Sequence, residues 1–271
     1  MKESSADELK YYGSVLPSCE INSTFYGLPR TETCAKWRNA VPEQFKFSMK
    51  VSKSITHDAR LRGIEDAWQA FYARAAEGLQ HKLGPCLFQL PPSLTKDMTR
   101  LQDLCQLVQD VSPQAQIAME FRSATWFCED VFQLLRARNW ALVENFSPDG
   151  SICTCDEQTA DWTYSRWHGV IDARGHGTDF PDDELRRYAE KAAARARAGA
   201  RAQYVFFGND LDATAVRNAQ TLISATKKPS SVKPSSGSAK KKGNGSGKKG
   251  ASSAGSGASQ PTMKAFFNSV S

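Results

Sequence analysis

Two features of the sequence predict an α/β fold in which helices cover a parallel sheet. Short apolar runs of strand length alternate with longer amphipathic stretches between residues 43 and 225, and that alternation is the mark of parallel sheets. One of the runs, "GPCLFQLPP" (84–92), is stopped by two prolines and so has the form of a short buried strand.

The elements follow in order. "EQFKFSMKV" (43–51) is a strand. "IEDAWQAFYARAAEGLQHKL" (64–83) is an amphipathic helix that puts Ala67, Phe71 and Leu79 near one face. After the strand at 84–92, a helix covers roughly 97–110 and "QIAMEF" (116–121) is the next strand. "WFCEDVFQLLRARN" (126–139) is helical, "WALVEN" (140–145) a strand, and "WTYSRWHG" (162–169) another. "DDELRRYAEKAAARARAGA" (182–200) carries the clearest helical pattern, before the strand "AQYVFFGN" (202–209) and the helix "DATAVRNAQTLISA" (212–225). Trp37 and Trp126 are expected in the core.

Charge divides the chain. It has 35 basic and 29 acidic residues, but nine of the lysines and no acid lie in 226–271, which leaves a body of 26 basic and 29 acidic residues at net −3. Nonspecific attraction to DNA is therefore expected mainly from the tail. No apolar run approaches the ~20 residues of a membrane span, so no membrane partner is expected. The seven cysteines lack zinc or redox spacing and are expected as reduced thiols.

Six stretches in order resemble one family: "CEINSTFYGLP" (19–29), "FKFSMKVSKSITHDARL" (45–61), "LGPCLFQLPPS" (83–93), "AMEFRSATWF" (118–127), "YSRWHG" (164–169) and "VFFGNDLDATAVRNAQTL" (205–222). They are similar to the YecE-like family, domain of unknown function 72. The resemblance implies a TIM-barrel-like fold over 1–225 and leaves the activity open. It also implies a Gly- and Trp-containing first strand, which this chain lacks ahead of "ADELKYYGSVLPSCEINSTFYG" (6–27). A barrel with open strand edges is therefore expected, with an incomplete gene model as the simplest explanation. "FFGND" (206–210) stands where the family more often shows Phe-Asn-Asn.

Functional groups of such barrels stand at the C-terminal ends of the strands. The motifs place Glu20, Asn22, Lys50, Gln89, Glu120, Arg122, Arg166, His168 and Asn209 there. Two carboxylates, three cations and a histidine at one mouth suit an anionic substrate such as a phosphate or sugar phosphate. Arg122 and Arg166 would grip the anion with two bonds each. Asn22, Lys50, Gln89 and Asn209 would line its site. Glu20 or Glu120 is positioned to act as general base and His168 to relay a proton. A structural Glu120–Arg122 ion pair, a structural His168 and a capping role for His57 are the bland alternatives, and Asn22, Ser23 and Thr24 equally suit turn chemistry. With only His57, His81, His168 and His176 available, no dedicated metal site is expected, although one divalent ion on Glu20, Glu120 and His168 is allowed. No cofactor is assigned.

From Thr226 the chain turns into a Lys/Ser/Gly-rich linker (226–259) that cannot build a core. Lys227 and Lys228, then eleven residues, then Lys240 to Lys242 approximate a bipartite nuclear-import signal. The end, "QPTMKAFF" (260–267), matches the PCNA-interacting (PIP-box) pattern with Gln260, Met263, Phe266 and Phe267 in its defining positions. A 3₁₀ turn would bring the three apolar residues together as a plug for a partner's pocket. The alternative is an aromatic terminus that folds back onto the barrel. The leading expectation is thus a nuclear, DNA- or nucleotide-phosphate-processing enzyme with hydrolase-like activity, recruited to PCNA. The alternatives are a non-catalytic clamp-binding adaptor or a metabolic enzyme on a small phosphorylated or sugar substrate.

Overall fold

The computed structural model describes residues 5–169, 179–209 and 213–227, and the backbone of 263–267. Helix α1 (Ser5–Val15) leads into strand β1 (Ser18–Ile21). Then come α2 (Thr31–Ala40), β2 (Lys46–Lys50), α3 (Glu65–Leu79), β3 (Leu83–Gln89), α4 (Met98–Val111) and β4 (Ile117–Glu120). The second half runs α5 (Glu129–Arg138), β5 (Ala141–Phe146), β6 (Trp162–Trp167), α6 (Asp182–Arg197), β7 (Ala202–Phe207) and α7 (Thr214–Lys227). Strands β1 to β7 pair with their sequence neighbours in parallel, so the expected α/β class holds and the sheet curls into a TIM-barrel-like fold.

The strands alternate between two cores because side chains point to opposite faces at a period of two. Leu87, Ala118, Val143, Tyr164, Tyr204 and Phe206 form an inner cluster. Their sequence neighbours Phe88, Met119, Leu142, Val205 and Phe207 pack outward against the helices. Trp126 is fully buried, with its indole N–H donating to the Leu94 carbonyl at 2.7 Å, and Trp37 stacks on Phe47 at the core's margin.

Helix α2 was not anticipated from the sequence. Only Cys34 on it is fully buried, so no apolar stripe announces it. It is held by tertiary contacts instead. A Cβ on Gly78 of α3 would stand 2.3 Å from the Cys34 Cβ, so only glycine permits the approach. The buried Lys82 ammonium donates to the carbonyls of Arg38 and Val41 at 2.9 and 2.8 Å, satisfying the end of α2. On the other side of the barrel Glu144 points out of β5 and is held by Lys191 and Arg195 of α6 and by the Ser165 hydroxyl.

The edge that the sequence analysis expects to be open is occupied. Strand β8 (Met263–Phe267) pairs in parallel with β7, with Gln203 opposite Met263 and Phe207 opposite Phe267. It also lies against β1, between the two ends of the seven-strand sheet. This is the folded-back course raised above as the alternative for the aromatic terminus. The backbone of Met263, Phe266 and Phe267 is therefore engaged; Thr226 and Lys227, expected to open the linker 226–259, instead close α7, and residues 228–262, Gln260 among them, lie outside the described residues.

Candidate functional site at the barrel mouth

Strand ends gather the predicted polar residues because each stands two positions beyond an inward-facing neighbour. Gln89 follows Leu87, Glu120 follows Ala118 and Arg166 follows Tyr164, and the inner face they share is apolar below and charged at the rim. Arg166 is the hub. Its Nη2 donates to Glu20 Oε1 at 2.8 Å and its Nη1 to Glu120 Oε2 at 2.7 Å, so one guanidinium crosses the barrel to bridge two carboxylates. Nη1 also reaches Gln89 Oε1 at 3.3 Å. All three charged groups are buried. Burial alone would lower the Arg166 pKa, but Glu120 and Glu20 more than reverse it and hold the guanidinium charged.

Glu120 carries a second arginine. Arg122 Nη2 lies 2.5 Å from Glu120 Oε1. Burial pushes the Glu120 carboxyl upward, yet Arg166 and Arg122 together bring it below the ordinary carboxylate range. Glu120 is thus an ionised, doubly paired group and a poor general base. Glu20 takes a further bond at Oε2 from the Tyr164 hydroxyl at 2.5 Å, and Ser48 Oγ lies 2.8 Å from that hydroxyl. Burial, and next the Glu20 charge, keep Tyr164 protonated far beyond its usual range.

His168 is close to the network without joining it as a cation. Its Nε2 donates to Asn145 Oδ1 at 2.9 Å and is 3.9 Å from Glu120 Oε1. Because an amide oxygen can only accept, the proton is on Nε2. Burial first, and the Arg166 charge second, lower its pKa to about 3. The ring is neutral at physiological pH, so it does not supply the positive charge an imidazolium would.

Lys50 ends β2 on the same rim. Its Nζ sits 4.3 Å from the centre of the Phe25 ring, and Thr24 Oγ1 pins its backbone by donating to the Lys50 carbonyl at 2.7 Å. Asn22 precedes the 3₁₀ turn Ser23–Phe25 that carries this ring. The turn chemistry expected of this segment is therefore present, and it positions Lys50. His57 belongs to a π-helical turn (Ser54–Asp58) and packs edge-on against Phe25 at 5.0 Å. Burial, then Lys50 and Lys53, lower its pKa.

Asn209 follows β7 and is buried; its Nδ2 donates to Asn218 Oδ1 in α7 at 2.8 Å. This bond ties the end of β7 to the helix layer. Gly169 makes room for it, since a Cβ there would stand 2.3 Å from the Asn209 Cβ and 2.7 Å from its Cα. Arg166, expected to grip a ligand anion, instead directs its Nη groups to Glu20, Glu120 and Gln89 within the protein. Ser48, Asn145 and Tyr164 join the site without having been singled out beforehand. Each stands two residues from a chosen position or at a strand end, a signal available in the period-two pattern.

Fold and site together define a parallel α/β barrel whose mouth is plugged by a carboxylate–guanidinium–carboxylate bridge. Residues 1–241 match the family described as Protein of unknown function DUF72, and the chain belongs to it. The UPF0759 protein YunF of Bacillus subtilis is 27% identical over 183 residues, which cover 62% of this chain and 64% of that protein. The UPF0759 protein YecE of Escherichia coli is 32% identical over 83 residues, 31% of this chain and 30% of that protein. The matches thus span less than two thirds of either relative. A crystal structure of a DUF72 family protein from Enterococcus faecalis superposes with a TM-score of 0.69 at 24% identity, covering 83% of this chain and 96% of that one. Another, from Thermotoga maritima, gives 0.69 at 23% identity over 84% and 92% of the two chains.

Proposed function

We propose that the barrel mouth binds a phosphate-bearing substrate and that the tail delivers the protein to PCNA in the nucleus, where the substrate is DNA or a nucleotide phosphate. The observation that carries the substrate class is the charge left over at the rim. Arg166 is spent on Glu20 and Glu120, and His168 is neutral. Lys50 and the partly exposed Arg122 therefore leave one positive charge in excess of the two carboxylates. An anion entering the mouth meets that excess without having to break the buried bridge. Recruitment rests on the PIP-box spacing of Gln260, Met263, Phe266 and Phe267, and nuclear entry on the paired lysine clusters of the linker.

One feature favours a second reading, a non-catalytic clamp-binding adaptor. The Glu20–Arg166–Glu120 bridge neutralises itself, as a purely structural plug would. Calorimetric titration of the full chain with inorganic phosphate, glucose 6-phosphate, deoxynucleotides and duplex DNA separates the readings. Saturable phosphate-dependent binding that Lys50→Gln weakens at least tenfold is the expected result. No binding by any of them supports the adaptor. Binding of the sugar phosphate alone points to a small-molecule enzyme.

A further inference from the structure

Lys50 differs from the other cations of the mouth. Arg166 pairs with Glu20 and Glu120, and Arg122 pairs with Glu120. Among the described residues no carboxylate is within ion-pair distance of Lys50 and its Nζ donates no hydrogen bond; the face of Phe25 is 4.3 Å from it. Burial disfavours the ammonium, and the Phe25 face offers it a cation–π contact in place of a directly paired carboxylate. The charged groups facing it come from every neighbouring strand end: Glu20 from β1, Glu120 and Arg122 from β4 and beyond, Arg166 from β6, with His57 in the turn after β2. The two guanidiniums oppose its protonation and the two carboxylates, already engaged by those guanidiniums, only partly compensate. Burial leads, and the net result is a pKa lowered to about 8.

We propose that Lys50 is a nucleophile that forms an imine with the carbonyl carbon of an anionic aldehyde or ketone. The step balances within the site. The neutral amine adds to the carbonyl carbon, and a proton moves from nitrogen to oxygen to give a carbinolamine. Loss of that oxygen as water, with uptake of one proton, leaves a protonated imine. The product carries one positive charge, as the lysine ammonium does, so the balance against Glu20 and Glu120 is preserved. Lysines desolvated beside other cations are activated in this way. The anionic part of the substrate would meet the partly exposed guanidinium of Arg122. The inference goes beyond phosphate binding, because the amine's reaction needs a carbonyl and no phosphate.

Glyoxylate with cyanoborohydride tests it on the full chain. Hydride reduces any imine to a stable secondary amine, and peptide mapping by mass spectrometry locates it. At pH 7.5 Lys50 should be labelled at least tenfold faster than Lys53, which is paired with Asp58, and its labelling rate should reach half-maximum near pH 8. Lys50→Arg, confirmed folded by its Tm, should lose this fast site and keep the slow background. Labelling of Lys50 no faster than Lys53, or a profile that still climbs above pH 10, overturns the proposal. Phosphate titration is scored separately, so failure of either inference is distinguishable from failure of the other.

Discussion

Arg166→Met asks how much of the barrel rests on its buried bridge. Methionine approximates the volume of the arginine stem, so the change removes charge and hydrogen bonds with little cavity. It leaves Glu20 and Glu120 buried and facing each other across the mouth. Breaking one partner out of a buried pair typically costs about 3–5 kcal/mol. Here the residual partners decide where in that range the loss falls. Glu120 keeps Arg122 at 2.5 Å and Glu20 keeps the Tyr164 hydroxyl at 2.5 Å, so the lower end, about 3 kcal/mol, is expected. For a body of this size each kcal/mol moves Tm by about 2–4 °C, which sets a fall of roughly 6–12 °C. Without Arg166 the Glu120 carboxyl loses the larger of the charges that hold it low, so burial should raise its pKa. The variant's deficit should then shrink as pH falls through that raised value, because a protonated acid needs no counter-charge. Calorimetric melting between pH 4 and pH 8 measures both effects. A Tm within 2 °C of the parent at pH 7, or a deficit that grows on acidification, would refute the claim that the bridge is structural.

Three further expectations follow from the same structure. Because the folded Glu120 carboxyl lies below its usual range, its contribution is present above the unfolded value near 4.3 and is lost as pH falls through the lower folded one. Glu120→Gln should therefore flatten the acid limb of the stability curve, as urea titrations at pH 3 to 6 will show. Gly169→Ala should cost about 1–3 kcal/mol, because the new methyl collides with the Asn209 backbone rather than a yielding side-chain tip; an unchanged Tm would show that β6 and β7 separate more easily than their packing implies. For the tail, a peptide of residues 256–271 should bind PCNA with micromolar affinity, about −8 kcal/mol, and lose it when Phe266 and Phe267 are both Ala. The full chain should bind more weakly than the peptide by the factor set by the population of β8 in the sheet, and truncation after Ser259 should lower Tm. Equal affinities together with an unaltered Tm would argue that β8 is not held.

Much of the barrel was legible because its strands are short apolar runs between amphipathic helices, a contrast visible in one dimension. Helix α2 was not, since its reasons for being helical lie in Gly78 and Lys82, more than forty residues away for most of its contacts. The rim residues were legible as a set, since strand-end positions can be counted. Their pairing was not. That Arg166 serves two carboxylates instead of a ligand depends on distances across the barrel between residues 146 and 46 apart in sequence. Consequently the group the sequence placed in a supporting role, Lys50, is the one left without a carboxylate, while the expected base Glu120 and relay His168 are held in fixed protonation states. The tail shows the same limit from the other side. An apolar segment at the end of a polar linker announces that it needs a surface, and on the proposed reading of the PIP-box spacing PCNA would supply one. The parallel edge of β7 is another, and it lies within the same chain. Backbone bonds contribute only about 1 kcal/mol each net of water. Ordering costs about 1–2 kcal/mol per residue, and closing a linker of about 35 residues adds a few more. Backbone bonding alone therefore does not hold a five-residue strand, so a pocket of micromolar affinity is strong enough to compete for the segment.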